Sequence, residues 1–153
     1  MRVRTAVAAD LPALRALFRR SSLGNADDAD ALLAHPEALV LPDVGVRAGH
    51  TRVAVDPQGV VVGFATVVGT GPVRELDDLF VEPDHQRHGI GAGLIADAVA
   101  RARRSGAERI EVTGNPHASR FYTAVGFEPD GEVATELGTG IRMHLDLAGP
   151  GRE

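Results

Sequence analysis

The stretch from Glu75 to Gly93, ELDDLFVEPDHQRHGIGAG, limits what this chain can fold into more than any other. Leu76 to Val81 is extended and mostly apolar, and Pro83, lacking an N–H, stops strand pairing. A polar turn follows from Asp84 to His88, and Gly89, Gly91 and Gly93 lead into a helix. A strand that passes through a glycine-lined turn into a helix start suits an anion. The first N–H groups of a helix have no internal acceptor, and the helix dipole adds partial positive charge there. Glycine lets such a backbone approach a phosphate closely.

Several chemistries use such a turn, and the residues separate them. A Walker loop requires a lysine after its last glycine, and all 16 basic residues of this chain are arginine. The same absence removes lysine-linked pyridoxal chemistry. A dinucleotide fingerprint, G-x-G-x-x-G, needs a third glycine where Leu94 stands, which argues against a nucleotide-binding Rossmann-like domain. What remains is Gln86-Arg87-His88-Gly89-Ile90-Gly91, which resembles the Q/R-x-x-G-x-G/A signature of the GCN5-related N-acetyltransferases. A second motif agrees with the first: Asn115, Ala118, Tyr122, Gly126 and Phe127 match that family's N-x-x-A-x-x-x-Y-x-x-x-G-F pattern. The resemblance covers about Val60 to Phe127; the region before His50 matches only in its pattern of elements.

At 153 residues the chain is expected to form a single domain, 1–153, large enough to bury a core. No apolar run approaches membrane-span length, and MRVRTAVAAD carries no secretory apolar region, so a cytoplasmic protein without a membrane partner is expected. There is no cysteine, which excludes disulfides, thiolate metal sites and a cysteine nucleophile. A net charge of −5 argues against a nucleic-acid partner. Abundant Ala and Arg without Lys suggests a GC-rich, bacterial coding sequence.

Met1 to Val7 alternates as a first strand, and Asp10 and Pro12 read as the cap and first turn of a helix burying Leu11, Leu14, Leu17 and Phe18. Asn25 to Asp30 is acidic and reads better as helix capping before Ala31 to Ala34 than as a patch for a cationic amine. His35 to His50 shows no period and is expected to be a long loop bordering a substrate pocket. Arg52 to Val55 and Val60 to Val68 are strands joined by the turn Asp56-Pro57-Gln58-Gly59. The helix from Gly91 to about Arg104 buries Leu94, Ile95, Ala98, Val99 and Ala102, and Gly106 stops it. Its Arg101, Arg103 and Arg104 read as a solvated face rather than a phosphate contact. Arg109 to Thr113 is a strand, Asn115-Pro116 starts a short helix ended by Gly126, and Ile141 to Leu147 alternates as the final strand. The order is β-α-α-β-β-β-α-β-α-β, an α/β chain with a mixed central sheet flanked by helices. It resembles the acetyltransferase fold, in which two central parallel strands splay apart around the cofactor.

The resemblance implies an N-acetyltransferase that moves the acetyl group of acetyl-coenzyme A directly to a primary amine, without an acyl-enzyme. Main-chain N–H groups of Arg87 to Ala92 (Arg87, His88, Gly89, Ile90, Gly91, Ala92), after Gln86, would hold the pyrophosphate. Backbone groups of Leu79, Phe80 and Val81 would meet the pantetheine amides and the thioester carbonyl. Tyr122, the only tyrosine, stands where the family's general acid protonates the thiolate; otherwise it is a core aromatic. Asn115 caps its helix, meets the cofactor arm, or does both. Glu75, eleven residues before Gln86, stands where one branch carries its glutamate base; it, Asp77 and Asp78 read equally as solvent-facing carboxylates at a sheet edge. His85 and His88, at i and i+3, are too few for a metal site, and no metal is expected. The acceptor, a small-molecule or peptide amine, would be chosen by Ser21 to His50 and Val133 to Gly140. Family members are often homodimers, though no sequence feature marks an interface. A non-catalytic acyl-coenzyme A sensor is the competing reading.

Overall fold

In the computed structural model, residues 1–24, 26–85, 89–135 and 138–147 are described, apart from the side chains of residues 26–28, 31 and 38. Seven strands run in the order β1-β2-β3-β4-β5-β7-β6. They are β1 (Arg2–Thr5), β2 (Thr51–Val55), β3 (Val61–Val68), β4 (Val73–Val81), β5 (Arg109–Gly114), β6 (Glu128–Thr135) and β7 (Gly138–Asp146). The helices are α1 (Leu11–Leu23), α2 (Ala26–Ala34), α3 (Val44–Arg47), α4 (Ile90–Arg104) and α5 (Ser119–Ala124). The expected α/β architecture with a mixed sheet is therefore present: β4 and β5 pair in parallel, while β1–β2, β2–β3, β5–β7 and β6–β7 pair antiparallel.

The chain divides into two compact units, Met1–Thr66 with Asp78–Leu94, and Val67–Asp77 with Ile95–Glu153. In the first, Leu14 and Leu17 of α1 are fully buried and cluster with Val53, Val55 and Phe64 of the sheet and with Leu41 and Val46. Phe80 joins from β4, its ring edge-on to Phe18 at 4.8 Å and tilted against Phe64 at 5.5 Å. The Asp56–Gly59 turn forms as its sequence dictates. Gly59 sits at φ +85°, and the Asp56 carboxylate accepts from the N–H groups of Gln58 and Val60, both at 2.9 Å.

Two local expectations in this unit fail for physical reasons. Asp10 does not cap α1 with its side chain. It belongs to a short 3₁₀ turn, and its carboxylate instead takes the Val7 N–H at 2.8 Å and both ends of the Arg4 guanidinium, at 2.8 and 3.0 Å. The segment 35–50 is not a structureless loop: it holds a 3₁₀ turn at Pro36–Leu39 and the short α3, and it buries Leu39, Leu41 and Val46. Apolar residues spaced irregularly for turns, rather than for one long helix, leave no period to read.

In the second unit the parallel ladder joins Val73–Leu76 to Arg109–Val112. Val112 of β5 lies opposite Met143 of β7, and Ile110 opposite Leu145. Ile110, Val112 and Met143 are buried, as are Ile95, Ala98 and Ala102 of α4. Gly106 ends α4 at φ +84° and Gly126 ends α5 at φ +109°. β6 was not expected. All but one of its residues are exposed, with only Val133 half-buried, so a strand at the end of the sheet carries no alternation to betray it. Among the described residues no helix is long and apolar enough to cross a membrane.

Candidate active site

The first unit carries the candidate anion-binding turn. β4 brings Leu79, Phe80 and Val81, all half-buried, to the turn. Glu82 then donates its N–H to the Val62 carbonyl at 2.8 Å, and a 3₁₀ turn follows at Pro83–His85. Gln86, Arg87 and His88 lie outside the described residues. Gly89 is at φ +79°, and a Cβ there would meet nothing within 4 Å. The first helical bond of α4 runs from the Gly93 N–H to the Gly89 carbonyl at 2.9 Å. By helix geometry the N–H groups of Ile90, Gly91 and Ala92 then have no intrahelical acceptor. An uncrowded left-handed glycine followed by three such donors fits a phosphate group.

Two other glycines of this region have different work. A Cβ on Gly63 of β3 would lie 3.1 Å from the Phe80 carbonyl, 3.1 Å from Ile90 and 3.2 Å from Leu94, so this glycine allows α4 to start close above the sheet. Gly93 makes room for Met1, whose Cε would lie 2.6 Å from an added Cβ. Neither role was legible as such from the glycine spacing.

The second unit carries the candidate proton-handling side chains. Tyr122 is 6% exposed. Its ring packs edge-on against Phe121 and Phe127, both at 5.3 Å. Gly114, at the end of β5, faces the ring: a Cβ there would stand 3.0 Å from Cε2 and 3.2 Å from Cδ2. Sequence reasoning passed over Gly114; its position immediately before the Asn115 motif was the available signal. Asn115 does not cap α5, whose N-cap position is Ala118 without a side-chain bond; its Oδ1 instead accepts the Ala118 N–H at 2.9 Å in the turn that precedes the helix.

Glu75 is placed quite differently. In register, Glu75 of β4 lies opposite Glu111 of β5, Glu111 opposite His144 of β7, and His144 opposite Glu128 of β6. Carboxylates facing one another across strands repel. Arg142 offsets this by bridging them: it donates to both Glu75 oxygens at 2.9 and 3.3 Å, to Glu111 at 2.7 Å and to the Thr113 hydroxyl at 2.9 Å. The Glu75 bonds, with the two carboxylate charges, hold the Arg142 guanidinium above its ordinary pKa against the opposing effect of burial. His144 Nδ1 lies 2.7 Å from Asp130. Asp77 is exposed and Asp78 half-buried. Among the described residues no three His, Asp or Glu side chains converge as a metal-binding group.

The family model described as "Acetyltransferase (GNAT) family" matches residues 11–127 of this chain. An L-amino acid N-acyltransferase, MnaT, of Escherichia coli (strain K12) is 28% identical over 166 residues, covering 96% of this chain and 90% of its own. Among solved structures, yncA of Salmonella typhimurium, a putative acetyltransferase with its cofactor acetyl-CoA, is 25% identical with a TM-score of 0.70; 96% of this chain and 94% of that one are covered. The PaiA N-acetyltransferase of Thermoplasma acidophilum, in complex with coenzyme A, has a TM-score of 0.76 at 18% identity, over 95% of this chain and 98% of its own.

Proposed function

This chain belongs to the acetyltransferase (GNAT) family, and on that premise we propose that it transfers the acetyl group of acetyl-coenzyme A to a primary amine by direct attack. The observation that carries this reading is the start of α4: Gly89 at φ +79°, then three main-chain donors without helical acceptors, inside the matched family segment. On this reading the N–H groups of Gly89 to Ala92 hold the diphosphate, with Gln86, Arg87 and His88 completing the turn. Backbone groups of Leu79, Phe80 and Val81 orient the pantetheine arm and polarise the thioester carbonyl.

The chemistry needs two proton transfers. The acceptor must be neutral when its nitrogen attacks; the C–N bond forms, the C–S bond breaks, and the leaving thiolate takes a proton. Tyr122 supplies that proton, and its apolar seat fixes the ring while Asn115 braces the turn that leads into its helix. Glu75 takes the amine's proton, directly or through water. Protonation of Glu75 weakens its hold on Arg142, which retains Glu111 and Thr113 as partners. The whole chain acts as one acetyltransferase domain, as a cytoplasmic bacterial protein, on a small-molecule or peptide amine, with a homodimer as the assembly to test.

The test is an amine-panel assay that follows thiol release, with Tyr122→Phe as control. Turnover on at least one amine, lost in Tyr122→Phe while acetyl-coenzyme A still binds, supports the reading. Cofactor binding with no turnover on any amine would instead make the chain an acyl-coenzyme A sensor.

A further inference from the structure

Arg20, in the last turn of α1, reaches the residue that immediately follows β4. Its Nε donates to Glu82 Oε1 at 2.9 Å, and its Nη2 donates to Oε2. The Arg20 side chain is 53% exposed, whereas that of Glu82 is only 16% exposed. Glu82 is also fixed through its main chain, donating to the Val62 carbonyl and accepting the His85 N–H, both at 2.8 Å. The turn that leaves β4 is thus tied to β3 by backbone and to α1 by charge.

That charge bears directly on how the turn would receive an anion. Residues 82–85 include two carboxylates, Glu82 and Asp84, on the segment that runs into the glycine-led start of α4. The paired Glu82, with Asp84 adding to it, holds the Arg20 guanidinium above its ordinary pKa. In return the Arg20 hydrogen bonds hold Glu82 below the usual carboxylate value, against burial, with smaller help from Arg20 and His85 charge. An uncompensated carboxylate on this segment would oppose the arrival of a diphosphate.

We propose that Arg20 favours cofactor binding through Glu82: it neutralises the carboxylate at the exit of β4, so that no lone negative charge opposes a diphosphate at the amides that start α4. The proposal rests on the acetyl-coenzyme A reading of this site, and binding rather than turnover tests it. Calorimetric titration with acetyl-coenzyme A would compare wild type, Arg20→Met, Glu82→Gln and the double variant. Arg20→Met leaves Glu82 charged and unpaired, and its Kd is expected to rise about tenfold, with the gap narrowing in high salt. Glu82→Gln and the double variant are both expected within about threefold of wild type, because neither leaves a lone carboxylate. A strut that worked by shape alone would leave the double variant as weak as Arg20→Met, and that result would overturn the proposal. So would an Arg20→Met protein that binds like wild type. If Arg20→Met fails to fold, Arg20→Lys with and without Glu82→Gln gives the same comparison: charge retained, Kd within about threefold, and a larger rise contradicts. A wild-type protein that takes up no acetyl-coenzyme A would remove the cofactor reading itself, and this inference with it.

Discussion

Tyr122 and Glu75 are offered for the two halves of one proton balance, yet they are held by opposite physics. Tyr122 is buried between two aromatic rings, with a glycine opposite its ring edge. Glu75 is part-exposed and held by a guanidinium that it shares with Glu111. Packing fixes a side chain through many short-range contacts that salt and pH do not touch. Ion pairs at partly exposed positions are weaker, screened and exchangeable. A group that must stay in place until a thiolate forms suits the first setting; the second leaves a carboxylate within reach of solvent, while its guanidinium partner favours the ionised form.

Tyr122→Phe tests the packed side most sharply, because it keeps the ring and removes only the hydroxyl. Turnover should fall by about 10²–10⁴-fold, the range of a lost general acid, with cofactor affinity retained; steady-state assays beside a binding titration check both. Full turnover in this variant would take Tyr122 out of the mechanism. Gly114→Ala attacks the same seat from the strand. Its Cβ would crowd the ring at 3.0 and 3.2 Å, so a loss of about 1–3 kcal/mol in denaturant unfolding is expected. An unchanged midpoint would mean that the ring moves freely, and the contrast with Glu75 would dissolve.

On the charged side, Arg142→Met should cost about 1 kcal/mol of stability by leaving Glu75 and Glu111 facing each other. The loss should shrink in about 1 M salt, whereas that of Gly114→Ala should not. Equal salt responses would break the comparison. The smallest effect is expected at Asp10, where charge holds a turn far in sequence from either residue. The Arg4 hydrogen bond, helped by the Val7 N–H, holds the Asp10 carboxyl below its ordinary value against burial. The folded state therefore favours the ionised form: this stabilisation is present above the ordinary carboxylate pKa and is lost as pH falls through the lowered one. The melting temperatures of wild type and Asp10→Asn should differ by a few degrees or less at neutral pH and converge in acid.

What the sequence disclosed follows the same division. Features set by neighbours along the chain were legible: the Asp56–Gly59 turn, the start of α4 at its glycines, and the stops at Gly106 and Gly126. Features set by distant partners were not. Arg142 meets Glu75 from 67 positions away, and nothing in either neighbourhood announces it. Arg20 meets Glu82 from 62 positions away. β6 was hidden because its exposed faces carry no apolar alternation, and Leu39, Leu41 and Val46 because they are buried from turns. Gln86, Arg87 and His88, singled out by their motif, lie outside the described residues, so their part in the turn rests on sequence.

The central claim is that main-chain amides at the start of α4 grip a diphosphate. Two-dimensional ¹H–¹⁵N spectra recorded during titration with acetyl-coenzyme A read those amides one by one. The account predicts that the signals of Gly89, Ile90, Gly91 and Ala92 move furthest and saturate with the binding isotherm. Binding that saturates while those four signals stay in place would contradict it.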